Sequence, residues 1–366
     1  MIFLERGIHW KTLVRRAYAE ERTALILTLI FFSGILLSAG LNTDFPASLG
    51  KVKSFYLLPI LFALALALFL EKGMEIRSLL RFWTIGSVTA SIAALLAASN
   101  GWLLYDGRLA GPYTSANYLA LLVAPGCLLS IFFFLTEETK RAKWLAAIAV
   151  VSTGSALFLT HSYATWAAFI ASLLFGTVFS ALHRLRLGRK EWIGLLLASG
   201  VIIGLLFFES GTEKWSQLVS ADPRSSLASR QMIWQVAVDI ATDNPWFGIG
   251  TGNFQSKYLE YQNRYPAYLE WAVPTPHNLP LHFWLEGGLL TILSWLGLLG
   301  LLGSRVWRML CSIEGGEKRL SIVLSASLVL FYVAYGLVDT PYMKNDLTLA
   351  LWGSIGLLVA SLRLKG

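Results

Sequence analysis

Three side chains of this 366-residue sequence combine types and spacing that suit acid–base and anion chemistry: His277, Arg230 and Glu286. His277 follows Pro274-Thr275-Pro276, which stiffens its approach and sets the imidazole at the head of a long apolar stretch. An imidazole with an ordinary pKa of about 6.5 is suited to take a proton from a hydroxyl near neutral pH. Arg230 lies upstream in Ser229-Arg230-Gln231-Met232-Ile233-Trp234. Its planar guanidinium can hold two phosphate oxygens at once, or it can anchor a helix at headgroup depth by stretching its stem along apolar surface. Glu286 lies within the apolar stretch that His277 opens, where a carboxylate must face protein or a wet cavity and find a partner. A structural role fits it as well as a catalytic one.

The elements around these residues follow from periodicity. Residues from Asp222 to Ala241 read as an amphipathic helix that stops before Asn244-Pro245, with Arg230 on the same stripe as Ile233, Trp234, Ala237 and Ala241 and Asp239 opposite. Asn244 to Phe254 then carries Gly248, Gly250 and Gly252 at alternate positions, a tight and closely packed turn. Phe254, Tyr258, Tyr261 and Tyr265 recur at helical spacing and end at Pro266. That face reads either as a membrane-interface belt or as a platform for sugar rings and prenyl chains.

These motifs sit in a chain that is 55% hydrophobic and 14% charged, too apolar for a water-soluble globule. Apolar runs long enough to cross a bilayer recur near 24–41, 54–70, 82–98, 117–135, 144–160, 163–182, 192–208, 278–303, 320–338 and 347–363. The fold class is therefore an all-α integral membrane protein of about ten spans, nine to twelve at the limits, with the stretch around His161 to Tyr163 readable as one broken element. The sequence divides into an N-terminal bundle over 1–208, a long loop over 209–276 and C-terminal spans over 277–366. Most of the 30 Lys and Arg fall in alternate connections, such as Arg15 and Arg16, Lys140 to Lys143, Arg184 to Lys190, and Arg305 with Arg308. That bias puts both termini in the cytoplasm and the 209–276 loop on the outer face. It also accounts for the net charge of +8 without nucleic acid as a partner. The loop holds too many Trp and Tyr for a flexible spacer. Cys127 falls in a span and Cys311 in a connection, so no disulfide is expected.

The loop resembles the O-antigen ligase and polymerase superfamily of bacterial membrane glycosyltransferases. Arg230 to Trp234, Asn244 to Phe254, and His277-Asn278 followed by nine residues, Gly288, two more and Thr291 carry the likeness. Upstream, Arg108-Leu109-Ala110-Gly111 through Asn117 is similar to the family's Arg-x-x-Gly and Asn segment. Where relatives show Ser-Arg-Gly, this chain has Ser162-Tyr163-Ala164, so one phosphate-binding Arg is missing from its usual place.

The resemblance implies a GT-C-like fold and transfer of a glycan from undecaprenyl diphosphate to an acceptor hydroxyl at the periplasmic face of the bacterial inner membrane. On that reading His277 is the general base, Arg230 binds the diphosphate with Arg224 or Arg108 replacing the missing Arg, and Asn278, Glu286, Gly248, Gly250, Asn117 and Tyr163 support the site. The partners implied are the lipid-linked glycan, an acceptor glycolipid or growing glycan, and the bilayer. No cofactor is expected. With no Asp-x-Asp and no octahedral logic in Asp222, Asp239 and Asp243, the reaction is expected to need no metal. Ligase, polymerase and protein glycosylation all fit this chemistry. A lipid-glycan transporter is the alternative of a different class, against which stands the lack of an internal repeat.

Overall fold

The computed structural model describes residues 10–41, 45–71, 75–181, 225–265, 271–312, 316–342 and 344–364, with scattered positions between 193 and 216. Among its described residues the regular elements are all helical: α1 (Trp10–Gly40), α2 (Phe45–Val52), a π-helical turn (Lys53–Leu57), α3 (Leu58–Glu71), α4 (Ile76–Ser99), α5 (Ala116–Thr136), α6 (Lys140–Leu159), α7 (Tyr163–Ala181), α8 (Ser226–Asp243), α9 (Phe254–Tyr261), α10 (Leu279–Ser312), α11 (Gly316–Gly336) and α12 (Asn345–Arg363).

Among the described residues eight segments are long and apolar enough to cross a membrane. They are Glu21–Gly40, Pro46–Leu70, Ile76–Ser99, Ala116–Thr136, Lys140–Leu159, Leu279–Ser312, Gly316–Gly336 and Asn345–Arg363, and each covers one of the expected spans. The second starts earlier than its apolar run suggests, because α2 and the π-turn continue into α3. The expected span 163–182 is occupied by α7, which carries a shorter apolar stretch, and the expected span 192–208 lies mostly outside the described residues. The chain is an all-α, multi-pass membrane protein. Cys127 is buried and Cys311 exposed, and both are free thiols.

Helix starts follow from capping chemistry, in which a side-chain oxygen takes one of the amide donors that a first turn leaves open. Ser115 accepts from Asn117 N, Thr139 from Ala142 N, Ser225 from Ala228 N and Asn278 from Leu281 N. Within the bundle α1 packs along α10, α3 along α12, α5 along α6 and α7 along α11. The described part of the 209–276 stretch packs onto the bundle. Ile233, Val236, Ala237, Ile240 and Ala241 of α8 form a second buried core with Phe254 and Tyr258 of α9, Ile249, Val273 and Leu285 of α10.

What seats that core on the bundle is a break in α10. Gly288 has φ 75° and ψ −174°, which interrupts the helix without ending it. A regular helix would close a bond from Leu289 N–H to Leu285 C=O. Instead Leu289 N donates to Pro245 O at 2.8 Å, and Leu285 O accepts from Ile249 N at 2.6 Å. Trp284 Nε1 adds a bond to Pro245 O at 3.1 Å. The turn from Asn244 to Gly252 is thereby threaded into one missing helix bond. The fit leaves no room for a side chain: a Cβ on Gly288 would stand 1.9 Å from Trp246 O, and one on Gly248, with φ 67°, would stand 2.2 Å from Leu285 O.

Gly288→Ala is therefore expected to destabilise the protein by about 3 kcal/mol or more, from steric overlap and an unfavourable backbone conformation together. A thermal melt in detergent should show a clear fall in Tm. Gly303→Ala, in the same helix with open space around it, should leave Tm unchanged or slightly raised.

Candidate active site

At the end of the bundle where α5, α10 and α12 start and α11 finishes, one carboxylate gathers the sequence-predicted residues. Asp339, in the connection between α11 and α12, is almost fully buried. Its Oδ1 lies 2.6 Å from His277 Nδ1 and accepts from Thr340 N at 2.8 Å. Its Oδ2 accepts from Tyr335 OH at 2.9 Å, Asn117 Nδ2 at 3.1 Å and Arg230 Nη2 at 3.2 Å. Burial alone would raise the carboxyl's pKa. The hydrogen bond from His277, the charge of Arg230 and the Thr340 amide outweigh it and hold the group well below the usual carboxylate range. Asp339 is thus ionised throughout the neutral range.

An ionised carboxylate can only accept, so His277 carries its proton on Nδ1 and leaves Nε2 to take another. The ring is a third exposed, open to a reactant. Its backbone is constrained too: φ is 49°, a left-handed conformation uncommon outside glycine, and Trp234 Nε1 donates to His277 O at 3.1 Å. Asn278 completes the fixation. Its side-chain oxygen caps α10 through Leu281 N at 3.0 Å, and its amide nitrogen donates to Leu337 O at 2.9 Å, next to the Asp339 segment.

Arg230, in the second turn of α8 after its Ser225 cap, reaches this cluster through Asp339. The guanidinium is directed at a protein carboxylate within the site, with its side chain about one-fifth exposed. Asn117, at the head of α5, joins through Asp339 as well. On the same lip Lys344, just before α12, holds its ammonium 5.0 Å from the Tyr118 ring centroid.

Other expected site residues go elsewhere. Arg108 pairs with Asp106 at 2.6 Å in the connection before α5. Tyr163 opens α7 and packs its ring 5.4 Å from Trp166 and 6.4 Å from Trp215. Arg224 and Asp222 lie outside the described residues. Glu286 belongs to a separate buried cluster, accepting from Tyr56 OH at 2.5 Å and from Gly252 N at 2.8 Å, with His282 Nε2 at 3.8 Å. Lys51 Nζ bonds Gly252 O at 3.3 Å beside it. Gly248 and Gly250, both at positive φ, shape the turn that Glu286 holds.

The aromatic face over 254–265 needs correcting. Phe254 and Tyr258 are fully buried, Tyr261 OH donates to Asp243 Oδ2 at 2.8 Å, and Tyr265 OH donates to Asp239 Oδ2 at 2.5 Å. The face is neither a membrane belt nor a stacking platform; it cements α9 to α8. The hydrogen bond to Asp239 raises the Tyr265 phenol to about 12.

Sequence reasoning missed Asp339. The signal was an acidic residue in Asp339-Thr340-Pro341, immediately past an apolar run and level with the head of the His277 helix. Among the described residues no group of three or more His, Cys, Asp and Glu converges as a metal would require.

No curated protein matches the chain. Residues 148–296, from α6 through Arg230 and His277 to just past the break in α10, match the family model described as O-Antigen ligase, so this part of the chain is similar to that family.

Proposed function

We propose that the protein is an O-antigen ligase that moves a glycan from undecaprenyl diphosphate to a hydroxyl of the lipid A core. The observation that carries the reading is the pairing of His277 Nδ1 with Asp339 at 2.6 Å while Arg230 holds the other oxygen of the same carboxylate. This arrangement orients a base and presents a cation beside it, which are the two needs of the reaction.

On this reading the acceptor hydroxyl gives its proton to His277 Nε2 as its oxygen bonds the anomeric carbon. The bond from that carbon to the diphosphate breaks, and undecaprenyl diphosphate leaves with the electron pair. Asp339 stabilises the imidazolium that forms and keeps its tautomer. Arg230 uses one edge on Asp339 and offers the other N–H groups to the diphosphate, and Lys344 brings a second cation to the lip. Arg108, paired with Asp106, remains a candidate only if that pair opens. No metal is needed to neutralise the phosphates. The site faces the periplasm from the inner membrane with both termini cytoplasmic, as the distribution of Lys and Arg indicates. The ligase is favoured over polymerase and protein glycosylation by the His277-Asn278, Gly288 and Thr291 pattern.

Complementation of ligase-deficient cells supplied with a compatible carrier-linked glycan tests this. Wild type should restore a lipopolysaccharide ladder and His277→Ala should not, with both inserted at equal levels. Long carrier-linked chains made only by wild type would make the protein a polymerase. No glycan change in any background would turn attention to transport.

Two further variants separate charge from geometry. Arg230→Lys keeps the cation but loses the fork, so transfer should fall at least about tenfold. Equal activity would return Arg230 to the role of an anchor. Asp339→Asn offers an amide where an acceptor is needed by both His277 and Arg230, so initial rates should drop by about a thousandfold or more.

A further inference from the structure

The turn threaded into α10 has a second property, its depth. The basic end of α10 is marked by Arg305 and Arg308, with Arg305 paired to Glu21. A hydrocarbon core of about 30 Å takes about 20 helical residues at 1.5 Å each. Counted back from Ser304, that length ends near Leu285. Gly288 thus lies about one helical turn inside the hydrocarbon boundary. The loop segment bonded across it lies at the same level.

Irregular backbone is tolerated at that depth only where its polar groups are satisfied within protein. Many of the turn's polar groups are met in this way. Gly248 N bonds Asn244 O at 3.1 Å, Ile249 N bonds Leu285 O, Pro245 O takes Leu289 N and Trp284 Nε1, and Gly252 N bonds Glu286 Oε1. Ser48 Oγ and Lys51 Nζ cover the carbonyls of Thr251 and Gly252 from α2. Beyond these bonds, two large apolar side chains project from the turn: Trp246 is 68% exposed and Phe247 is 52% exposed. Below them on α10 the exposed residues are Leu290, Leu293 and Leu296, the stripe that such a span turns to lipid.

We propose that the 244–252 turn is a membrane-dipping wedge whose Trp246 and Phe247 insert among the acyl chains of the adjoining lipid leaflet. Lipid is the occupant because the patch continues the lipid-facing Leu290, Leu293 and Leu296 stripe at hydrocarbon depth, with no charged side chain projecting from Pro245 to Gly252. The wedge fixes the height of α8 and hence of Arg230, so that the site stays at headgroup level. This inference stands on the membrane fold and not on the reaction assigned to the site.

The test is spin-label accessibility in vesicles of phosphatidylethanolamine and phosphatidylglycerol. In a Cys127→Ala, Cys311→Ser background, nitroxides are attached at Phe247→Cys, and separately at Trp246→Cys in case one variant fails to fold. Leu293→Cys serves as the lipid reference and Lys257→Cys, on α9, as the aqueous one. The expected result is strong collision with oxygen and a several-fold loss of collision with a water-soluble nickel chelate relative to position 257, matching position 293. Nickel access equal to that at 257 would place the turn in water and overturn the wedge. Low access to both oxygen and nickel would mean that a protein surface, such as a second copy, covers the patch, and would overturn it equally.

Discussion

Between Leu285 and Leu289 a straight helix would close one hydrogen bond on itself, and in this protein it does not. Breaking that bond inside a membrane helix strands a carbonyl and an amide where water cannot satisfy them. The repair comes from a segment far upstream in sequence, which donates Ile249 N to one group and offers Pro245 O to the other. A local defect thus becomes a long-range joint. Because the repair has to come from backbone held at a fixed register, it locks the 244–252 turn, and through Asn244 the end of α8, to one level of α10.

The same helix starts with His277. Docking the turn at Gly288 sets α8 alongside the head of α10, so that Trp234 reaches His277 O and Arg230 reaches Asp339. Glu286 reinforces the joint from within, tying Gly252 to Tyr56 on the π-turn before α3. Its burial is compatible with folding because each oxygen has a donor. It is therefore read best as a positioning group, one that holds the turn and not the substrate.

The spans and the loop's helix were legible because burial in lipid and amphipathic packing leave periodic marks: α8 ends at Asp243, where Asn244-Pro245 announced a stop. His277 and Arg230 were singled out by residue type and spacing, and the structure brings both to Asp339. Asp339 was not, because a lone carboxylate past the end of a span has no period and its importance arises only when α5, α8, α10 and α11 converge. The aromatic face over 254–265 misled for the opposite reason. Its spacing was right, but spacing says which residues share a face and not what covers it, and here the cover is α8 with Asp239 and Asp243 at its rim.

Asp339 also explains why the site is assembled from so many elements. A buried carboxylate is tolerated only when its oxygens are met by donors and opposite charge. Thr340 supplies an amide from the same segment, Tyr335 a hydroxyl from α11, Asn117 an amide from α5, Arg230 a cation from α8 and His277 a ring from the head of α10. Removing any one weakens the compensation for the others, so the geometry of the imidazole is coupled to bundle packing as well as to its immediate neighbours. The break at Gly288 and the charge at Asp339 are in that sense complementary. The first brings α8 to the bundle along the backbone, and the second draws the same helix in by its side chain, so Arg230 is held by two constraints that share no atoms.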